Sequence, residues 1–542
     1  YGLTYRNSPG VGSLYQEVYS NDTTFITTQT SDRTRGGWSN NVRAGADYFF
    51  NDKNTLTGAF TYRGGKQTNI SLLEYRDYLM NLGAPTGISQ RTDDEAEDEL
   101  NFEYALTYKR TFEKKGQELT ADVRYQDNDE TENSDLSERF FLSDMTPTGA
   151  ADLTQRSYNK ERERLLAAQL DYVQPVGKDG KLEMGLRSTF RDIDNDYLVE
   201  EYANDAWVVF PGLSNDFRYD ENIHAAYLIY GNKKGKFSYQ AGLRAEYSDV
   251  TTELLQTNEV NARNYLSLFP SAHITYELPA QNAVQLSYSR RLRRPGFREL
   301  NPFSSFSDNR NFFTGNPDLN PEFTDILEMG HIKYWDKGSL SSSVYYRYTS
   351  GKIDRIRTLN EDGVTFLTRP ENLLSEDAYG LEFVVSYNPF KWWTMNGSFN
   401  FYRSILDGGN LGEEFQSDTY AWFTRGTSRF TVFKNTDLQV RFDYRAPEQT
   451  PQGSRKAMYS IDLGASRDIL KQQGTLTLSV RDLLNSRRMR SISEGDDFYA
   501  NTDFQWRARQ ITLTLNYRLN QAKQRGNDKK RDEDGGGENM MY

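Results

Sequence analysis

The sequence predicts an all-β protein: a transmembrane antiparallel up-and-down β-barrel of about 22 strands when complete, with roughly 20 of them in this chain. Three observations carry that expectation. Apolar and polar residues alternate with the two-residue period of a strand from one end of the chain to the other. Short polar turns alternate strictly with long polar connections. Finally, 14% aromatic residues accompany only 36% hydrophobic residues, 26% charged residues and a mean hydropathy of -0.80. The aromatics are too many for a disordered chain and the aliphatics too few for a soluble protein with one large core. In a membrane barrel only alternate residues meet lipid, so average hydropathy stays low although the protein is embedded. No run of about 18 apolar residues exists, which excludes a helical span.

The strands follow in order, beginning with one expected within residues 1–30. In "ELNFEYALTYKRTF", Leu100, Phe102, Tyr104, Leu106 and Tyr108 share a face opposite Asn101, Glu103, Ala105, Thr107 and Lys109. "KFSYQAGLRAEYSD" repeats the pattern, with Phe237, Tyr239, Ala241, Leu243, Ala245 and Tyr247 on one side. In "AVQLSYS", Val284, Leu286 and Tyr288 alternate with Gln285, Ser287 and Ser289, and the arginines of "RRLRR" extend that strand. The last clear case is "QITLTLNYRL", with Ile511, Leu513, Leu515, Tyr517 and Leu519 on one face. Each apolar face covers about 9–11 residues, the length of a tilted strand crossing a bilayer.

Turn-forming residues mark the short joins: "NDKN" at 51–54, "KKGQ" at 114–117, "GKDG" at 177–180, "NKKG" at 232–235, "PAQN" at 279–282 and "DKG" at 336–338, with more near Pro389, Asn435 and Gln473. Between them the segments 64–98, 127–160, 295–322 and 486–502 read as long polar loops. All short turns then lie at the periplasmic end and all long loops outside. On this polarity the arginines of 290–294 sit at the external end of their strand. Arg291 and Arg293 continue the lumen face of Ser287 and Ser289, whereas Arg290 and Arg294 are expected to point outward near the headgroups. Trp392 and Trp393, beside Phe390 at a short turn, suit the interfacial aromatic girdle.

The domain reading is a barrel over 1–519 and a disordered polar periplasmic tail over 520–542. "YGLTYRNSPG" carries neither an initiator Met nor the apolar core of a signal peptide, so the first strands and a plug are expected upstream.

Several chemistries find no support. The net charge of -12 argues against nucleic acid as a partner. The chain has no cysteine, so disulfides, thiol catalysis and cysteine-ligated metals are ruled out. His224, His273 and His331 are not at ligand spacing, and no nucleophile and base pair stands out. "GVG" and "RGGK" lack the spacing of nucleotide loops. The acidic run 93–99 could hold Ca²⁺ but reads as a solvated approach to a strand, and "DNDETENSD" has Glu132 where a calcium loop needs glycine. No enzyme activity, cofactor or metal site is therefore expected.

The segment "RRPGFRELNPFSSFSDNRNFFTGNPDLNPE", 293–322, resembles the signature loop of TonB-dependent outer-membrane receptors of the Bacteroidota type. "YLSLFPSAHITYEL", 265–278, and "SVRDLLN", 479–485, are similar to that family as well, and the likeness runs from about 39 to 519. It implies a barrel in the bacterial outer membrane, filled by an N-terminal plug that the TonB protein remodels using the proton gradient. The implied partners are outer-membrane lipid and lipopolysaccharide, TonB through the missing plug region, and a small nutrient ligand; the family also leaves room for a surface lipoprotein. The chain departs from the family in showing no plug, no TonB-contacting segment and no terminal-strand aromatic at its end.

Long rigid loops shaped by Pro and Asn are where ligand recognition would sit. The candidates are Arg291, Arg293, Arg298, Asn301, Phe303, Asp308 and Asn316. Against them stands a structural reading, in which the arginines pair with carboxylates such as Glu299 and Asp308. The functional expectation is energised uptake of a chelated metal, peptide or oligosaccharide. The alternatives are a passive wide-pore porin, an assembly barrel, or an outer-membrane enzyme whose catalytic cluster has yet to be found.

Overall fold

The computed structural model describes residues 1–20, 23–303, 308–412, 415–433 and 435–519. The expected tail at 520–542 lies outside them. One antiparallel sheet of 25 strands forms the wall. Ala206–Val209, Glu448–Thr450, Gly453–Arg455, Met489–Glu494 and Phe498–Gln505 are short additions to it or the upper continuation of a wall strand, which leaves twenty long strands among the described residues. Each pairs with its neighbour in chain order. The ring closes where Gly2–Ser20 meets Phe498–Gln505, in register from Val11 opposite Gln505 to Val18 opposite Phe498. This closure is in the outer part of the wall; below it, among the described residues, Gln510–Tyr517 pairs only with Gly474–Arg481, and the stretch 42–51 pairs only with Asn54–Leu79.

Sidedness follows the sequence alternation and runs opposite to that of a soluble protein. Leu100, Tyr104 and Leu106 are 46%, 50% and 49% exposed, while Asn101 between them is 5% exposed. Likewise Leu243 and Tyr247 stand outside and Glu246 and Ser248 are buried within. Apolar side chains presented outward and polar ones enclosed are what a bilayer solvent requires.

The short joins fall where expected. Gly116, Gly177 and Gly235 take positive φ in three of them; at "PAQN", Ala280 and Gln281 do so without glycine, at φ 59° and 58°. Near these turns aromatic rings collect: Phe390 stacks on Trp392 at 5.5 Å, and Trp392 lies 6.2 Å from Phe430. This is the girdle expected of Trp392 and Trp393.

The long polar loops are mostly not loops. Asn54–Leu79 and Gly87–Thr111 run through almost all of 64–98, and Glu118–Phe141 and Leu153–Val176 through most of 127–160. A tilted strand crosses the apolar layer in about 9–11 residues, yet Thr23–Asn51 has 29. The wall therefore continues far beyond the membrane as a sheet with water outside it. There neither face needs to be apolar, so hydrophobic periodicity vanishes although the strand does not. The acidic run 93–99 lies within Gly87–Thr111, with Glu95, Glu97 and Glu99 facing the lumen.

The remaining two long segments differ. Residues 486–502 form Met489–Glu494 and part of Phe498–Gln505, an upward extension of the wall. Segment 295–322 turns into the barrel.

Candidate functional site: the capped lumen

After Arg293 the chain meets Pro295, leaves the sheet and enters the lumen through the short helix Phe297–Leu300. Asn311–Phe313 then pairs in parallel with Phe366–Asn372, which pairs antiparallel with Ile353–Leu359. These three strands and the described residues of 294–322 make a cap inside the outer half of the barrel. Local chemistry fixes its bends. The Gly315 and Asn316 amides donate to the Asn301 and Glu299 carbonyls at 2.8 and 2.6 Å. A Cβ on Gly315 would collide with the Asn301 carbonyl.

Apolar contacts bind the cap to the wall on several sides. Phe366, fully buried, packs with Val18 and Phe498, and Phe312 packs on Leu136 and Val199. Leu300, Leu319 and Ile353 join Ile193, Phe217, Tyr219 and Leu254 in the largest cluster. Each fully buried side chain of this kind contributes about 1.5–3 kcal/mol. Polar contacts add direction. Tyr75 donates to Asp308 at 2.9 Å, Arg310 to Asp77 at 2.6 Å, Asn309 to Glu138 at 2.7 Å and Arg357 to Gln16 at 2.7 Å.

The seven candidate residues divide accordingly. Arg291 is exposed at the strand end. Arg293 pairs with Glu299 at 2.6 Å and Glu322 at 3.2 Å. Arg298 lies on the helix within Coulombic reach of Glu130 and Glu161. Asn301 accepts the Phe303 amide at 3.3 Å, and Phe303 packs on the large apolar cluster. Asp308 accepts from Gln29, Tyr75 and the Arg310 and Asn311 amides. Asn316, 3% exposed, donates to Pro370 and Glu371 and accepts from Arg369. Asn301, Phe303, Asp308 and Asn316 thus build the cap, while Arg291 and Arg298 remain open to the lumen.

Two expectations are corrected here. Arg294 does not point outward: it enters the lumen, ion-paired with Glu246 and donating to Ser248 at 2.8 Å. The strand ends at Arg293 and Pro295 redirects the chain, so parity no longer governs residue 294. Asp308 meets wall groups and its own loop rather than the arginine cluster; Glu299 pairs with Arg293 as expected.

Sequence reasoning missed the acidic wall facing Arg298. Oxygens of Glu95, Glu97 and Glu132 lie within 4.8 Å of one another. Glu95 and Glu97 stand beyond Leu100, the last lipid-facing apolar residue of Gly87–Thr111, and Glu132 on Glu118–Phe141 lies opposite Glu97. Burial first, then neighbouring carboxylates, pushes Glu95 and Glu130 up to about 7. The three oxygens could face a hard cation. Protein donors already serve them, however: Arg35 and Gln67 on Glu97, Asn69 on Glu95 and Asn159 on Glu132. The signal in the sequence was the acidic run itself, read as solvated because its strand was not recognised.

A tall antiparallel wall that meets itself in its outer part, with an outward apolar band and a filled mouth, is the architecture of outer-membrane barrels. The model of the outer membrane protein beta-barrel family matches residues 110–517, well over half of the chain. The chain belongs to that family. It accordingly resides in the bacterial outer membrane. Among solved structures it resembles the copper transporter OprC (13% identity, TM-score 0.54, covering 92% of this chain and 80% of that one). It also resembles the siderophore receptor PiuA from Acinetobacter baumannii (11%, 0.53, 94% and 81%) and the ferric yersiniabactin uptake receptor FyuA from Yersinia pestis (11%, 0.52, 94% and 79%). At such identities the likeness concerns the fold. No curated protein matches the chain.

Proposed function

We propose that this family member is the barrel of a TonB-dependent receptor that imports a scarce nutrient, such as a chelated metal, peptide or oligosaccharide, without covalent chemistry. One observation carries the reading: the outer mouth is occupied by a cap bonded to the wall through Asp77, Tyr75, Glu138 and Gln16. Such an obstruction suits a receptor that admits one ligand better than a wide unselective pore. Likeness in fold to receptors and a transporter for metals and their chelates supports the same class. TonB would act through a plug, lipopolysaccharide would surround the wall, and Arg291 and Arg298 are the open candidates for contact with ligand. The test is uptake by cells carrying the complete protein, before and after an uncoupler collapses the proton gradient. Uptake that stops supports energised import, and uptake that continues undiminished refutes it.

A further inference from the structure

Beside the seam where the first and last strands meet, the lumen carries arginines that form no ion pair among the described residues. Arg6 lies on Gly2–Ser20 on the same face as buried Ser8, and Arg33 on Thr23–Asn51 on the face of buried Ser31. Arg481 ends Gly474–Arg481 on the face of buried Thr475. Arg507 follows Phe498–Gln505 and lies within Coulombic reach of Arg6, Arg35 and Arg481. Above them, on the cap, is Arg357. Among the described residues none of Arg6, Arg33, Arg357, Arg481 and Arg507 has a carboxylate within 4.0 Å; Arg35, by contrast, is held by Glu97.

Arg33 and Arg357 line one cavity of about 200 Å³ between cap and wall, together with Gln29, Asn311, Asp308 and Asp503. Both of its carboxylates accept hydrogen bonds, although one oxygen of Asp503 has no partner. Asp308 accepts from Gln29, Tyr75 and two backbone amides, and Asp503 from Arg488 at 3.3 Å. Asp93, which also feels Arg33, is shared with Arg91 and Ser134. The Arg357 guanidinium donates only to neutral groups, Gln16 at 2.7 Å and Asn311 at 2.6 Å. Burial lowers it to about 10, which leaves it charged at neutral pH. Asp308 acts on Arg357 at Coulombic range but outside ion-pair distance; a buried cation so partly compensated is costly, and an oxyanion arriving between two guanidinium forks relieves that cost. At about 30 Å³ per water, the cavity has room for a small oxyanion with part of its hydration shell.

We propose that this face binds a small oxyanion, of phosphate or carboxylate class, held between Arg33 and Arg357 and drawn along Arg6, Arg481 and Arg507. The inference deepens the transporter reading and rests on it for the passage of the ligand, but its test needs no transport.

The full chain, purified in detergent, is titrated calorimetrically with inorganic phosphate and, separately, with succinate. The site predicts saturable binding of at least one anion, weakened about tenfold or more by Arg33→Gln and by the double change R6Q/R481Q. Neither variant removes a hydrogen bond or an ion pair to a wall or cap residue, so the fold stays intact; R357Q would also release Gln16 and Asn311 and is the less clean choice. The preferred anion identifies the class. No saturable binding of either anion, or unchanged affinity in both variants, overturns the site. Loss of this binding with uncoupler-sensitive uptake intact would sink the oxyanion site alone; binding with uncoupler-insensitive uptake would sink only energised import.

Discussion

Arg310 of the cap donates to the Asp77 carboxylate of the wall at 2.6 Å, across 233 residues of chain, and its guanidinium lies 4.3 Å from the Tyr75 ring centroid. One side chain therefore ties the inner loop to the wall strand Asn54–Leu79 by charge, hydrogen bond and ring face together. The cap is fastened at such points, and the clearest consequences concern how it is released.

Arg310→Ala removes a charge-assisted hydrogen bond of about 1.5–3 kcal/mol. The expected result is a cap that opens more often while the barrel stays folded. Limited proteolysis of intact cells should cut between 308 and 322 faster than in the wild type, with the heat-modifiable mobility of the barrel unchanged. Equal cutting rates would show that this tie does not hold the cap.

Phe366→Ala empties a fully buried site between Val18 and Phe498. Truncations of this kind cost about 3–5 kcal/mol. Because the loss falls on cap docking, single-channel conductance in a planar bilayer should rise in the variant. An unaltered conductance would mean that the inner sheet does not obstruct the pore.

Gly315→Ala tests the bend rather than the packing. A methyl group there meets the Asn301 carbonyl and lies 2.8 Å from the Asn301 nitrogen, both backbone atoms that cannot step aside cheaply. The variant should open the cap as R310A does, whereas G87A, with nothing within 4 Å of its added Cβ and no positive φ, serves as a control for glycine substitution.

Acidity should tighten the outer wall. Glu95 and Glu130 have folded values of about 7 against the ordinary 4.5, so the folded state binds more protons than the unfolded one between those limits. Their contribution is fully present below about 4.5 and is lost as pH rises through about 7. Amide hydrogen exchange in Gly87–Thr111 and Glu118–Phe141, corrected for intrinsic rates, should slow as pH falls from 8 to 5. E95Q/E130Q should flatten that dependence; an equal slope in the variant would assign the effect to other groups.

Where the bilayer imposes a solvent on each strand, the sequence was readable: Leu243, Tyr247 and Leu100 repeat an apolar face, and the turns at 51–54 or 177–180 announce themselves by composition. Above the membrane that constraint lapses. Glu95 and Asp94 point to opposite sides of one strand, yet both meet water or polar lumen, so no periodicity separated strand from loop in 64–98. The cap was hidden for another reason. Its ties, such as Arg310 to Asp77 and Arg357 to Gln16, join residues hundreds of positions apart, and nothing local to either partner records the match. Asn301, Asp308 and Asn316 were visible as unusual loop residues, but the same polar side chains serve for binding a ligand or for satisfying buried backbone, and only the folded arrangement assigns them to the second task.

Sidedness is the claim on which the rest depends, and the absence of cysteine allows it to be measured one position at a time. Single cysteines placed from 241 to 248, spin-labelled and reconstituted into lipid, report collisions with oxygen, which concentrates in the bilayer, and with a water-soluble nickel chelate. The account predicts high oxygen accessibility at 241, 243, 245 and 247 and low values at 242, 244, 246 and 248. Equal accessibility at odd and even positions, or nickel contact at Leu243 as high as in bulk water, would contradict it.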